Sequence, residues 1–438
     1  MKSSRLDGRG LARAVVLAIG CAMLAGPSCP AQATKAEFKF DLGPGKVAPG
    51  FVPVLPSTVY SQESGYGFEP GSKIVGVDRG GSDPLRDDFC AADGPFLFSV
   101  ALPEGNYDVK LTLGDGDGTS DTTVKAESRR LMVESERTAK ATFATRTFTV
   151  NVRTSWIASG GAVKLKSREV GYLHWDDRLT LEFSGPRPCV CGIEIAPAPD
   201  AVTVYLAGDS TVTDQPREPW NSWGQMLPRF FKPGVAVANH AESGESLKSF
   251  LAQRRLEKIL GTIKAGDYLF IQFGHNDQKE RGEGVGAFTT YKDSLKHFVA
   301  EARKREALPV LVTPVARRAF GQDGRLVNNL GDYPEAVRRV AREDHVPLID
   351  LNAMSRPFYE ALGIEGSKQA FVDNTHHNNY GSYELARCII EGIGQDKLGL
   401  AKFIEDGLPP FDPAQPDPVA DFKVPPSLQG QSNVPDGS

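Results

Sequence analysis

The sequence predicts an all-β sandwich followed by an α/β domain built on a parallel sheet. Three observations predict it. From Phe38 to about Ile195, short alternating runs are separated by clusters of Gly, Pro, Asp and Asn. From Val202 onward, apolar runs of strand length alternate with stretches of helical periodicity. Between the two, Ala196-Pro197-Ala198-Pro199-Asp200 reads as a short, stiff linker. A chain of 438 residues is also too long for one ordinary domain.

The N-terminus comes first. Lys2, Arg5, Arg9 and Arg13 outweigh Asp7, the apolar run Ala14–Ala25 follows, and Ala31-Gln32-Ala33 closes the segment. This pattern predicts a signal peptide over 1–33, hence a secreted or periplasmic protein, and the run is too short to span a bilayer. The whole chain carries a formal charge of −5, and losing that basic leader makes it more acidic. Such a balance argues against nucleic acid and anionic membrane surfaces, and with the apolar run too short to span, no membrane insertion is expected. Of six cysteines, Cys21 and Cys29 fall in the leader. Cys90 with Cys189 or Cys191 leaves open one disulfide or none, and Cys388 reads as a buried thiol.

The sandwich is expected over 34–198. Its strands are read at Phe38–Phe40, Phe96–Val100, Tyr107–Leu113, Thr145–Val152, Val163–Leu165, Leu179–Phe183 and Gly192–Ile195. Gly114-Asp115-Gly116-Asp117-Gly118 looks like a calcium loop but lacks the flanking ligands and terminal glutamate of an EF-hand, so it reads as a turn. Tyr66, Phe68, Tyr172 and Trp175 are candidates for sugar stacking, with core packing the default for aromatics.

The α/β domain is expected over 199–406. Strands are read at Val202–Leu206, Val235–Asn239, Asp267–Phe273, Val310–Val315 and Val346–Leu351. Helices are read at Gly224–Phe231, Leu247–Ile263, Tyr291–Glu306, Tyr333–Asp344 and Asn379–Ile393. Beyond Gly407 the chain is rich in Pro, Gly, Asp and Ser without periodicity, and 407–438 is expected as a disordered tail.

The chemistry collects at strand ends. The first strand stops at Gly208-Asp209-Ser210, a tight turn presenting a hydroxyl. Asn239–Ser246 follows the second strand and Gly274-His275-Asn276-Asp277 the third, while Asp373-Asn374-Thr375-His376 precedes the last helix. The C-terminal ends of parallel strands share one edge, so these loops converge on Ser210. A serine is a weak nucleophile until a base takes its proton, which His376 can do, with Asp373 holding the imidazole. The Ser210 and Gly244 backbone N–H groups and the Asn276 amide suit an oxyanion. Asp209, Trp220, His275 and Asp277 are the candidates for substrate contact. Trp223 reads as packing. His376-His377 lacks ligand spacing for a metal, and neither a metal nor another cofactor is expected.

In that order, the blocks Gly208-Asp209-Ser210, Gly244, Gly274-x-Asn276 and Asp373-x-x-His376 resemble the SGNH (GDSL-type) hydrolases. The resemblance implies a flavodoxin-like three-layer domain, with Ser210, Gly244, Asn276 and His376 as its four named residues. Ser222–Gln225, Gly274–Lys279, Leu311–Val315, Gly331–Ala336 and Asn374–His376 look like the rhamnogalacturonan acetylesterase branch. Residues before Asp200, Gly171–Trp175 among them, resemble a galactose-binding-like module. Glu245 departs from this branch, which usually has arginine there, and His377 replaces a common aromatic. The resemblance implies a serine esterase that deacetylates plant pectic polysaccharide or oligosaccharide through an acetyl-enzyme. An esterase for xylan, other polysaccharides or small esters is the alternative, and a non-catalytic carbohydrate-binding protein ranks below both.

Overall fold

The computed structural model describes residues 37–428, all within one compact unit. The expected signal peptide and the last ten residues of the tail lie outside the described residues.

The α/β half is a five-stranded sheet, every pairing parallel. Val235–Asn239 forms one edge, followed by Val202–Gly208, Tyr268–Gln272, Leu308–Val312 and Leu348–Ile349. Chain order is thus second, first, third, fourth, fifth, the flavodoxin-like order expected from the resemblance. The central strands are buried on both faces, which is why they read as unbroken apolar runs. Val204, Leu206 and Phe270 point to one layer, with Trp223, Phe358 and Ile389. Tyr205, Leu269 and Ile271 point to the other, with Phe250, Phe298 and Val337. Burying such a side chain contributes roughly 1.5–3 kcal/mol.

Helices fall close to expectation, with two differences. Leu247–Ile263 is split into Leu247–Ala252 and Arg255–Leu260 by Arg254, whose φ of 63° is left-handed and ends a helical run. Leu351–Gly366 is a helix that the sequence reading missed, because Pro357 interrupts its pattern. The strand expected to continue to Leu351 instead stops at Ile349, and Asp350 caps that helix by accepting from the Ala353 N–H.

The N-terminal half is a sandwich of two five-stranded sheets with a small three-stranded sheet beside them. Phe40, Val109 and Leu111 of one sheet meet Phe98, Val124 and Leu181 of the other in a single core. Most expected strands are present. Val163–Leu165 is not one, and the hairpin Ser120–Ala126 with Arg130–Thr138 was not foreseen. Its tip turns at Glu127 and Arg129, both with positive φ. Gly114 and Asp115 end a long strand, and Asp115 pairs with Arg79 and Arg187, as befits a turn. Cys90, Cys189, Cys191 and Cys388 are all buried free thiols, so there is no disulfide among the described residues.

The halves meet over a broad polar face rather than hanging from the linker. The hairpin sends Arg130 onto Asp214 at 2.7 Å, with both side chains almost fully buried. Thr149 accepts the Gly234 N–H at 2.8 Å and Asn106 donates to Thr203 at 2.8 Å. Trp175 lies in this seam with the Arg153 guanidinium over its ring, and Phe68 is core, so neither is free to stack on sugar.

The tail corrects an expectation. Up to Leu428 it lies against the molecule: Phe411 is buried, Phe422 packs on Tyr380 and Tyr383, and Asp417 pairs with Arg387. Lys125 of the sandwich donates to Pro425 O and Ser427 Oγ, and the Ser427 N–H donates to Glu218. Low periodicity did not mean disorder, because a few anchoring side chains suffice to hold an extended segment.

Candidate active site

Strand Val202–Gly208 ends in a turn that the sequence builds locally. A Cβ on Gly208 would lie 2.6 Å from Val212, so only glycine fits. Asp209 accepts from the Thr211 N–H at 3.0 Å and its hydroxyl at 2.8 Å, locking the turn that presents Ser210. Ser210 Oγ stands 2.8 Å from His376 Nε2. His376 Nδ1 stands 2.8 Å from Asp373 Oδ2, and Asp373 Oδ1 accepts the backbone N–H groups of Thr375 and His376. Burial raises the Asp373 pKa, but the His376 bond and charge and these N–H groups outweigh it and hold it at about 2. The carboxylate is therefore ionised at neutral pH. Helix Asn379–Gln395, capped by Asn378, anchors this turn from behind.

Opposite lies the loop 242–246. The Glu242 N–H donates to Gly208 O at 3.2 Å, tying the loop to the strand that leads into Ser210. Gln215 Nε2 bridges Ser210 O at 2.9 Å and Ser243 Oγ at 3.3 Å. Gly244 has a φ of 80°, a conformation glycine adopts without strain. Asn276 Nδ2 donates one hydrogen to Glu245 O at 3.0 Å, which leaves its second for the site. The four residues singled out in the sequence, Ser210, Gly244, Asn276 and His376, therefore lie on loops that meet at this edge of the sheet.

The proposed substrate contacts fare differently. Trp220 is at the site, its ring edge-on to His376 at 5.8 Å. Asp209, His275 and Asp277 are turned into the protein, a correction to the sequence reading. Asp209 is fully buried and meets His275 Nδ1 at 3.0 Å, while His275 Nε2 meets Val315 O at 3.0 Å. Asp277 accepts the Leu247 N–H at 2.9 Å, and burial pushes its pKa up to about 8. These buried residues spend their polar atoms on bracing the loops. Trp223 packs as expected, donating to Gln272 at 2.9 Å. His377 bonds Tyr359 at 2.7 Å, and burial pushes it down to about 3, which makes it a neutral structural residue.

Sequence reasoning missed the sandwich's share of the site. Arg129 donates to Gln215 O at 3.1 Å and Trp220 O at 2.8 Å and pairs with Glu218 at 2.6 Å, fixing the loop beside Ser210. Lys166 pairs with buried Glu245 at 2.6 Å, and Arg168 donates to Glu242 at 2.9 Å. Both cations also donate to Ser243 O, at 2.5 and 2.7 Å. The departure at Glu245 thus has a physical partner: the sandwich supplies a cation where a second arginine would be repelled.

Comparison with known proteins finds matches to both halves of the chain. The profile of the GDSL-like lipase/acylhydrolase family matches residues 206–382. A second profile, beta-agarase/YXIM esterase-like, galactose-binding domain-like, matches residues 38–153. The rhamnogalacturonan acetylesterase RhgT of Bacillus subtilis (strain 168) is 44% identical over 216 residues, 45% of this chain and 91% of that protein. The probable rhamnogalacturonan acetylesterase YesY of the same organism is 38% identical, over 46% of this chain and 96% of its own. The uncharacterized esterase YxiM, also from that organism, is 27% identical over 84% of this chain and 92% of its own.

Proposed function

The chain belongs to the GDSL-like lipase/acylhydrolase family as a serine esterase with a galactose-binding-like domain, and on that premise we propose that it removes acetyl groups from rhamnogalacturonan, a pectic polysaccharide. The observation that carries the chemistry is the unbroken chain Ser210 Oγ to His376 Nε2 to His376 Nδ1 to Asp373, with both contacts at 2.8 Å. What supports the substrate is the 44% identity to RhgT over nearly that protein's whole length.

In this reading Ser210 Oγ attacks the acetyl carbonyl while His376 Nε2 takes its proton. Asp373, already ionised, stabilises the imidazolium and fixes Nδ1 as the protonated nitrogen. The negative oxygen is met by the N–H groups of Ser210 and Gly244 and the Asn276 amide. His376 then returns its proton to the departing sugar hydroxyl, leaving an acetyl-enzyme. Water, deprotonated by the same histidine, attacks that ester and releases acetate and free Ser210. The expected signal peptide would place the reaction outside the cytoplasm, where such polymers occur.

Acetate release from acetylated rhamnogalacturonan and acetylated xylan, compared at equal acetyl concentration, tests the substrate. The pectic polymer should be the faster by kcat/KM. Equal or faster xylan deacetylation would overturn the pectic assignment while leaving the esterase.

A further inference from the structure

We propose that Lys166 and Arg168 of the galactose-binding-like half are positioning residues for the oxyanion hole, acting through the Ser243–Gly244 peptide. The inference rests on the proposed role of the Gly244 N–H. Ser243 O and that N–H belong to one planar trans peptide, in which the carbonyl and the N–H point in opposite directions. Two cations hold the carbonyl, Lys166 Nζ at 2.5 Å and Arg168 Nη2 at 2.7 Å. Fixing one end of a rigid plane fixes the other, so the grip sets the direction of the Gly244 N–H. A carbonyl that accepts from cations also polarises its own amide, strengthening the N–H as a donor.

The arrangement is built rather than incidental. Arg168 is itself oriented by two bonds to Glu242, at 2.9 and 2.5 Å, and Lys166 by Glu245 at 2.6 Å. Glu242 and Glu245 flank the peptide in sequence and are almost completely buried, whereas both cations keep about a fifth of their side-chain surface exposed. The short helix Ser167–Glu169 that carries Arg168 is pinned in turn. Glu169 accepts the Lys166 backbone N–H at 2.8 Å and Trp175 Nε1 at 3.1 Å, and pairs with Arg255 of the esterase half. Gln215 fastens the other face of the loop through Ser243 Oγ and Ser210 O. The loop is thus clamped from the nucleophile on one side and from the sandwich on the other.

The test uses the full chain and p-nitrophenyl acetate. The double variants Arg168→Met/Glu242→Gln and Lys166→Met/Glu245→Gln remove the grip on Ser243 O without leaving a buried carboxylate unpaired. Each should stay folded by circular dichroism, keep KM within about twofold and lose about 10–100-fold in kcat, part of the roughly 100–1,000-fold cost of deleting an oxyanion donor. Values of kcat within about twofold of the parent in both would overturn the proposal. Should the double variants not fold, Arg168→Lys decides, because it keeps the charge against Glu242 but not the forked reach to the carbonyl. It should lower kcat at least about fivefold at unchanged KM, and an unchanged kcat refutes the role. Ser210→Ala assayed alongside separates the two readings. If that variant keeps near-normal turnover, the site itself is misassigned. If it is dead while the others are fully active, only the positioning role falls.

Discussion

The two sides of the active site are assembled in different ways. On the side of the base, Asp373, Thr375 and His376 lie within four residues, bond one another and stand on a capped helix of the esterase half. On the side of the proposed oxyanion hole, the loop 242–246 takes its principal ionic partners from the sandwich, about eighty residues upstream. The first side is local and self-contained, and the second is a product of the interface. On the proposed mechanism, then, proton transfer would depend on a single turn and charge stabilisation on how two halves dock.

The sharpest break in this comparison is Ser210→Ala. With the hydroxyl gone, kcat for p-nitrophenyl acetate should fall by at least ~10⁴-fold, with a residual rate from the remaining oxyanion donors. Near-normal turnover would remove the nucleophile assignment. Asp373→Asn should preserve the fold and cost on the order of 10³-fold in kcat, since an amide can favour the wrong histidine tautomer. A loss below about tenfold would mean that Asp373 does not orient His376. The interface is probed by Arg130→Met, which leaves Asp214 buried without its cation. Unfolding in urea should show a loss of about 3–5 kcal/mol, while kcat per folded molecule stays near normal. An unchanged midpoint would show that the halves do not depend on that pair.

A smaller effect should appear in the pH dependence of stability. The folded pKa of Asp277 is raised to about 8, far above the ordinary carboxylate value, so the native state holds a proton that the unfolded chain has released. Stability from this group is complete below about pH 4 and is lost as pH rises toward 8. Asp277→Asn keeps an oxygen for the Leu247 N–H but cannot ionise. Its thermal midpoint should therefore fall less between pH 4 and 8 than the parent's, and parallel curves would refute the assignment.

What the sequence revealed follows the same division. Ser210, Gly244, Asn276 and His376 were legible because each sits in a short motif at the end of an apolar strand or just before the last helix, and parallel topology brings these loops together. Asp209 and Asp277 were found but misread, because a carboxylate in a site motif looks the same whether it faces ligand or locks a turn. Arg129, Arg130, Lys166 and Arg168 were invisible for a different reason. A surface-type residue in an irregular stretch acquires its meaning only from what docks against it, and no periodicity records the partner. The helix Leu351–Gly366 was hidden by Pro357, and the ordered tail by a composition that usually signals disorder.

The seam at Glu218 adds a dimension of time. Glu218 pairs with Arg129 of the sandwich and accepts the Ser427 N–H of the tail, in the loop that carries Trp220. A chain made from its N-terminus presents Arg129 first, Glu218 some ninety residues later and Ser427 after both. The loop beside Ser210 can therefore reach its final bonding only after residue 427 has emerged. During synthesis the catalytic half exists first as an unfinished object, and its last fastening comes from residues that carry no chemistry of their own.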